Sequence, residues 1–396
     1  KMRRLQDQVV TNKNILLRVD FNVPVKDGVI LDDIRIKKCL PTLKYLVENQ
    51  AKIIIASHFG RPKGQKNPDF SLKIIFQRLK ELLPDVKINF IDDSIGKEVE
   101  KAVEKTDYGQ ILLLENVRFY KGETDNDPEF AQKLSSLANL HINEAFSCCH
   151  RAHASIVGVA DYIKSCAGFL LQDEIDNLNN ILGQPKKPML AIVGGSKIST
   201  KIDLLNNLIK KADYIFVAGG MANTFLAAKG KNIGKSIVER DLTATALEIM
   251  NNAKKYGSEI LLPIDIASCS NLDDIADFKI SHIDDITDNE IIADIGDKTL
   301  KILEQKVKEV KTIIWNGPLG ITEIKEFSVG TNNLAKIIAN KTVSGDIISV
   351  AGGGDIVSAL NKASLSNKFT YISTAGGAFL EWLEGKELPG IKSCVI

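Results

Sequence analysis

Residues 189 to 201 read Met189-Leu190-Ala191-Ile192-Val193-Gly194-Gly195-Ser196-Lys197-Ile198-Ser199-Thr200-Lys201. The apolar run Met189 to Val193 is strand-sized and has no polar alternation, the pattern of a strand buried on both faces of a parallel sheet. Two glycines break the run, a helical pattern spans Lys201 to Lys211, and a second apolar run comes at Tyr214 to Val217. Strand, glycine turn, helix and strand make one βαβ unit.

The same alternation extends in both directions. Candidate strands before it are Ile15 to Leu17, Ile53 to Ile55, Val86 to Phe90, Ile111 to Leu114 and Leu140 to Ile142; after it come Glu259 to Leu262, Lys311 to Trp315, Asp346 to Val350 and Phe369 to Ser373. Helical patterns cover Ile34 to Glu48, Leu72 to Leu83 and Leu242 to Tyr256. The chain has 396 residues, and single cores stop growing beyond about 250 to 300, so two domains are expected. Hydrophobic residues at 44% and charged residues at 26% exclude a disordered or collagen-like chain. A formal net charge of +1 provides no bulk field toward nucleic acid or an anionic membrane, so neither is expected as a partner and any anion site must be local.

No apolar run approaches the ~18 to 20 residues of a spanning helix, and the basic start Lys1 to Asp7 does not lead into the apolar stretch of a secretory signal. Cysteines at 39, 148, 149, 166, 269 and 394 include no CxxC pair, and adjacent Cys148 and Cys149 bridge only with strain. Free thiols in a reducing cytosol are expected.

The segments at the strand ends differ between the two halves. The first half offers Arg18-Val19-Asp20-Phe21-Asn22, Ser57-His58-Phe59-Gly60-Arg61, Glu115-Asn116-Val117-Arg118 and His150-Arg151-Ala152-His153; the second offers Gly194-Gly195, Gly219-Gly220, Asn316-Gly317-Pro318, Gly352-Gly353-Gly354-Asp355 and Ala375-Gly376-Gly377. Eight of the nine arginines fall in the first 151 residues. Ligands of open parallel sheets sit beyond the carboxyl ends of the strands. The first half therefore gathers guanidinium forks suited to a small, multiply anionic metabolite. The second gathers glycine turns whose helix N-termini suit nucleotide phosphates. Two such half-sites suggest group transfer.

Each feature also has a plainer reading. A glycine pair after a strand is commonly a tight turn, and Asp355 serves equally as a helix N-cap or as a Mg²⁺ ligand on a nucleotide phosphate. Gly230-Lys231-Asn232-Ile233-Gly234-Lys235-Ser236 is one residue short of a Walker A loop and is set aside as surface, and no GxGxxG comes after a strand. Lys197 and Lys201, four apart, are expected on one helix face at the mouth of a glycine turn.

Taken together these residues resemble the phosphoglycerate kinase family over nearly the whole chain. Arg18-Val19-Asp20-Phe21-Asn22-Val23-Pro24 is similar to its N-terminal signature. Ser57 to Pro62, Leu114 to Phe119, His150 to His153, Gly194 to Lys197, Trp315 to Pro318, Gly352 to Asp355 and Leu383 to Gly390 recur at its spacing. The resemblance implies reversible phosphoryl transfer from 1,3-bisphosphoglycerate to ADP, giving 3-phosphoglycerate and MgATP, by a cytoplasmic monomer. It implies an α/β fold of two Rossmann-like lobes with parallel sheets, joined by an interdomain helix and a hinge. The expected divisions are an N-terminal lobe 1–168, an interdomain helix 169–182, a nucleotide lobe 183–380, and a tail 381–396 returning to the first lobe. Asp20, Asn22, Arg35, His58, Arg61, Arg118 and Arg151 would bind 3-phosphoglycerate. Lys197, Lys201, Gly219, Asn316, Glu323, Gly352, Gly353, Gly354 and Asp355 would bind the nucleotide. Arg35, Lys197 and Gly376 would act on the phosphoryl in flight, Asp355 would hold Mg²⁺, and the lobes would close to align donor with acceptor. Departures from the pattern are Ala218, Asn223, Ala375 and Ile356, the last removing a hydroxyl near the phosphates. The competing readings are another small-acid kinase and a two-lobed anion-binding protein without chemistry.

Overall fold

A computed structural model describes residues 1–396. Internal contacts divide the chain into unit 1, Lys1–Asp176 with Glu387–Ile396, and unit 2, Asn177–Lys386. Unit 1 contains β1 (Asn14–Arg18), β2 (Val25–Lys26), β3 (Val29–Ile30), β4 (Lys52–Ala56), β5 (Ile88–Ile91), β6 (Ile111–Leu114), β7 (Leu140–Asn143) and β8 (Ser165–Ala167). Six of these form a parallel sheet in the order β5-β6-β4-β1-β7-β8. Alternate residues serve opposite faces, as the two-residue period of a strand requires. Ile15, Leu17, Ile53 and Ile55 pack with Ile36, Leu43, Ile75 and Leu79 of helices Ile34–Glu48 and Lys73–Leu82. Leu16, Ile54 and Ala56 pack with Val99, Val103, Phe130 and Leu134 of helices Lys97–Lys105 and Pro128–Ser135. Burying each Leu or Ile contributes roughly 1.5 to 3 kcal/mol, and the helices on both faces leave no polar side to these strands.

Unit 2 contains β9 (Met189–Val193), β10 (Tyr214–Val217), β11 (Glu259–Leu261), β12 (Asp265–Cys269), β13 (Lys279–His282), β14 (Ile291–Ile295), β15 (Thr312–Asn316), β16 (Ile348–Gly352) and β17 (Tyr371–Ser373). A second parallel sheet runs β11-β10-β9-β15-β16-β17, and a small antiparallel sheet runs β13-β12-β14. The antiparallel sheet, β8 and the β2–β3 hairpin lie outside the strands read from sequence. The hairpin turns on Asp27 and Gly28, both with positive φ, the two-residue turn whose twist matches its strands.

In the terminal segment of unit 1, the N–H of Arg3 donates to Cys394 O at 2.7 Å and that of Ile396 to Lys1 O at 2.9 Å. Residues 381–386 belong instead to unit 2, where Asn207 Nδ2 donates to Leu383 O. All six cysteines are buried free thiols, and no helix is long and apolar enough to cross a membrane.

Buried Glu144 receives the N–H groups of Leu170 and Leu171 at 3.0 and 3.4 Å, and burial pushes its pKa up to about 7. Because the folded value lies above the unfolded one, the native state holds the extra proton between them. The Glu144 contribution to stability is therefore greatest below the unfolded pKa and falls as pH rises toward 7. Glu144→Gln keeps an acceptor without the charge and is expected to raise stability by up to about 3 kcal/mol at pH ~8 and by little at pH ~4, in denaturant titrations. An equal gain at both pH values would contradict this reading.

Candidate active site

In unit 1, the segment after β1 is fastened to the segments after β4 and β6 through polar side chains. The Asp20 carboxylate accepts from Asn22 N at 3.0 Å, from Arg35 NH1 at 3.0 Å and from the Ser147 hydroxyl. Arg35 stands in the first turn of helix Ile34–Glu48, and its NH1 also donates to Asn22 O at 2.9 Å. Asn22 Oδ1 accepts from Gly60 N at 2.9 Å, and Gly60 O accepts from Arg118 NH1 at 3.1 Å. His58 is buried, with Nε2 4.0 Å from Asp20 Oδ1.

The electrostatics of this cluster favour an anion. Burial alone would raise the Asp20 pKa, but charge from His58 and Arg35 and hydrogen bonds from Ser147 and Asn22 hold it below the usual range. Burial in turn pushes His58 well below its ordinary value, so at neutral pH the cation facing Asp20 is Arg35. Burial, then Arg118, Arg18 and Arg151, depress His153 to about 4. Burial and the neighbouring Arg18 lower Arg118, whose enclosed Nε finds no acceptor. Crowded cations with an unmet donor are matched by a carboxylate or phosphate. Arg61 and Arg151 are exposed, the first directly after Gly60 and the second close enough to act on His153.

Several arginines of the first half are taken up by internal contacts. Arg4 pairs with Asp176 at 2.8 Å, Arg78 with Asp33 at 2.7 Å, and Arg3 donates to Ser165 O, while Arg18 is fully buried.

In unit 2, the loops after β9, β10 and β15 nest against one another. A Cβ on Gly194 would stand 1.9 Å from Pro318 O, and one on Gly317 2.4 Å from Gly194 O, so both glycines are demanded by backbone packing. Gly354, in contrast, opens helix Gly354–Lys362 with nothing within 4 Å of an added Cβ. Asn316 joins two strand ends: its Nδ2 donates to Gly352 O at 2.8 Å and its Oδ1 accepts from Lys201 Nζ. Burial lowers the Lys201 pKa while Glu384 and Asp355 draw it back up.

A cavity of about 350 Å³ adjoins these loops. It is lined by Gly195, Gly219, Gly220 and Asp355 together with apolar Leu226, Ile237, Leu319 and Ile321 and the carboxylate of Glu323. The helices Gly219–Ala228 and Gly354–Lys362 begin at its wall and direct N–H groups there. Gly376, with φ 55°, precedes helix Gly377–Leu383.

Two expectations from sequence are corrected. Lys197 and Lys201 do not share a helix face: Lys197 is extended at φ −133°, a 3₁₀ turn spans Ile198–Thr200, and the helix begins at Ile202. The glycines before Lys197 are taken up by loop packing, which delays the helix. Lys235, set aside as surface, lines the same cavity and donates to Ser270 O at 3.0 Å. Ser147, on Asp20, and Asp294, in the cavity wall, had no signal in a single sequence, because a lone Ser or Asp between apolar residues marks nothing by itself.

The phosphoglycerate kinase family model matches residues 5–386. A phosphoglycerate kinase of Maricaulis maris is 48% identical over 391 residues, 99% of this chain and 97% of that protein. One from Dictyoglomus turgidum is 48% identical over 389 residues, 98% and 96% of the two chains. The solved structure of phosphoglycerate kinase from Coxiella burnetii superposes with a TM-score of 0.90 at 41% identity, covering 100% of this chain and 99% of that one.

Proposed function

Since the chain belongs to the phosphoglycerate kinase family and catalyses reversible phosphoryl transfer between 1,3-bisphosphoglycerate and ADP, we propose that unit 1 binds the glycerate and unit 2 the nucleotide. The observation behind this division is the contrast between the cation cluster of Asp20, Arg35, His58 and Arg118 and the glycine-walled cavity ending at Glu323 and Asp355. Neither competing reading, another small-acid kinase or a non-catalytic binding protein, accounts for the family match.

Arg35, Arg61, Arg118 and Arg151 would neutralise the carboxylate and phosphate of 3-phosphoglycerate, with Asn22 and His58 supplying neutral polar contacts. Asp20 and the carbonyl of Asn22 orient Arg35 by holding its NH1, which fixes the guanidinium where its charge would act on the transferring group. Lys201 and Asn316 form a bonded polar node, Lys197 brings an exposed charge, and backbone N–H groups at Gly219, Gly352, Gly353, Gly354 and Gly376 would meet phosphate oxygens. Glu323 would take the ribose hydroxyls. The acceptor in the ATP-consuming direction is an ionised carboxylate, so positioning and charge stabilisation suffice and no general base is required.

No group of three His, Cys, Asp or Glu side chains forms a cage for a metal. Asp355, exposed on the cavity wall, fits Mg²⁺ that is held by one carboxylate and by nucleotide phosphates, where it would supply charge neutralisation.

Arg118→Ala is expected to raise the KM for 3-phosphoglycerate by more than about tenfold, from loss of a charged hydrogen bond, with little change in the KM for ATP. Equal rises for both would count against the division. Ligands bound on separate units must meet in line and away from water, so closure belongs to this reading. Small-angle scattering should give a smaller radius of gyration with both substrates than with either alone, and an unchanged radius would remove closure from the account. The reading includes a monomer in the cytoplasm, in keeping with six reduced thiols; sedimentation at twice the chain mass would contradict the monomer.

A further inference from the structure

We infer that Arg18 is a positioning residue, its guanidinium holding His58 as the neutral tautomer whose proton sits on Nε2. The inference rests on the reading that His58 contacts the glycerate. Arg18 closes β1 and is fully buried, with NH2 3.2 Å from His58 Nδ1. A guanidinium has donors only and keeps its proton at any biological pH. His58 Nδ1 must therefore offer its lone pair, and the single ring proton lies on Nε2, the nitrogen facing Asp20 Oδ1. A second proton at Nδ1 would set N–H against N–H inside the protein.

The guanidinium is fixed from its other sides as well. Its Nε donates to Ser155 Oγ at 2.6 Å and its NH1 to Val19 O. The Ser155 hydroxyl in turn donates a hydrogen bond to Glu123 Oε1 at 2.8 Å, and Ser155 N donates to the same oxygen at 3.1 Å. Glu123 is fully buried, so a serine links an enclosed cation to an enclosed carboxylate. The charged and titratable groups acting on His58 are Asp20, Arg18, Arg35 and Arg118, with Cys148 Sγ 3.8 Å from Nδ1. The consequence is a permanent Nε2–H donor directed to the anion site, one that does not switch on or off across the ordinary histidine range near ~6.5.

The test is the tautomer itself, in the whole chain labelled with ¹⁵N-histidine. Five histidines give a tractable long-range ¹H–¹⁵N spectrum, with His58 assigned by its loss in His58→Gln. A protonated Nε2 and an unprotonated Nδ1 from pH ~6 to ~8 support the inference; Nδ1–H or a doubly protonated ring overturns it. Arg18→Met should release His58 to mixed tautomers, with the KM for 3-phosphoglycerate up about tenfold and that for ATP unchanged. An unchanged His58 tautomer in a folded Arg18→Met also overturns it, and the unmodified spectrum decides even where that variant fails to fold. Saturating 3-phosphoglycerate separates the two layers: an Nε2 signal that does not move removes His58 from the substrate site and leaves its tautomer intact.

Discussion

Turnover by Lys197→Ala is expected to fall on the order of 10²-fold or more while the circular dichroism stays that of the unmodified protein. Lys197 is exposed after the nested glycine loops, and its ammonium enters no salt bridge, so its removal costs the fold little. Lys201, by contrast, is committed to Asn316 Oδ1. On the proposed reading Lys197, rather than Lys201, accompanies the phosphoryl group between donor and acceptor. A charge that acts on the transition state lowers kcat when lost, whereas a ground-state contact raises KM. Lys235→Ala is the contrasting case: Lys235 lines the cavity but its Nζ is bonded to Ser270 O, so kcat should change less than about threefold and any effect should appear in the KM for ATP. The reverse ranking of the two variants would overturn the roles given to both lysines.

Arg35→Ala should lose a similar factor in kcat and should also bring in a new pH dependence. Arg35 is the cation that faces Asp20 at neutral pH, and it also grips Asn22 O. Without it, the burial that already pulls the Asp20 pKa upward acts with less opposition, so the carboxyl titrates at higher pH. Below that value Asp20 is protonated and the site loses its order, so activity of the variant falls with decreasing pH more steeply than in the unmodified protein. Leaving that carboxylate without its cation also costs roughly 1 to 3 kcal/mol of stability. Arg35→Lys restores charge without the planar fork and should recover only part of kcat. A pH profile of Arg35→Ala that parallels the unmodified one would contradict the Asp20 coupling.

The parallel sheets are legible in the sequence because strands covered on both faces become continuous apolar runs, as at Ile53 to Ile55 and Met189 to Val193. The antiparallel sheet is not, because β12 includes buried Asp265 and Ser268 and β13 is largely exposed, so neither shows a continuous apolar run. Asp265 is satisfied inside by Lys298 N, Thr299 N and the Thr299 hydroxyl, partners 33 and 34 residues distant. The β2–β3 hairpin did have a signal in its Asp27-Gly28 pair, but its strands of two residues each are too short to show a period. At the candidate site, residue type and spacing mark the segments around Asp20, His58, Arg118 and Asp355. They do not reveal that Arg18 faces inward, that Lys197 and Lys201 sit in different local structures, or that Lys235 reaches the cavity. Those facts depend on loop packing between distant segments, such as Gly194 against Pro318.

The division of ligands between the units is tested most directly by calorimetric titration of the Arg118→Ala and Asn316→Ala variants of the whole chain with 3-phosphoglycerate and with MgADP. The expected result is crossed: Arg118→Ala binds 3-phosphoglycerate at least about tenfold more weakly and MgADP normally, and Asn316→Ala the opposite. Loss of both ligands in either folded variant, or the same ligand lost in both, would contradict it.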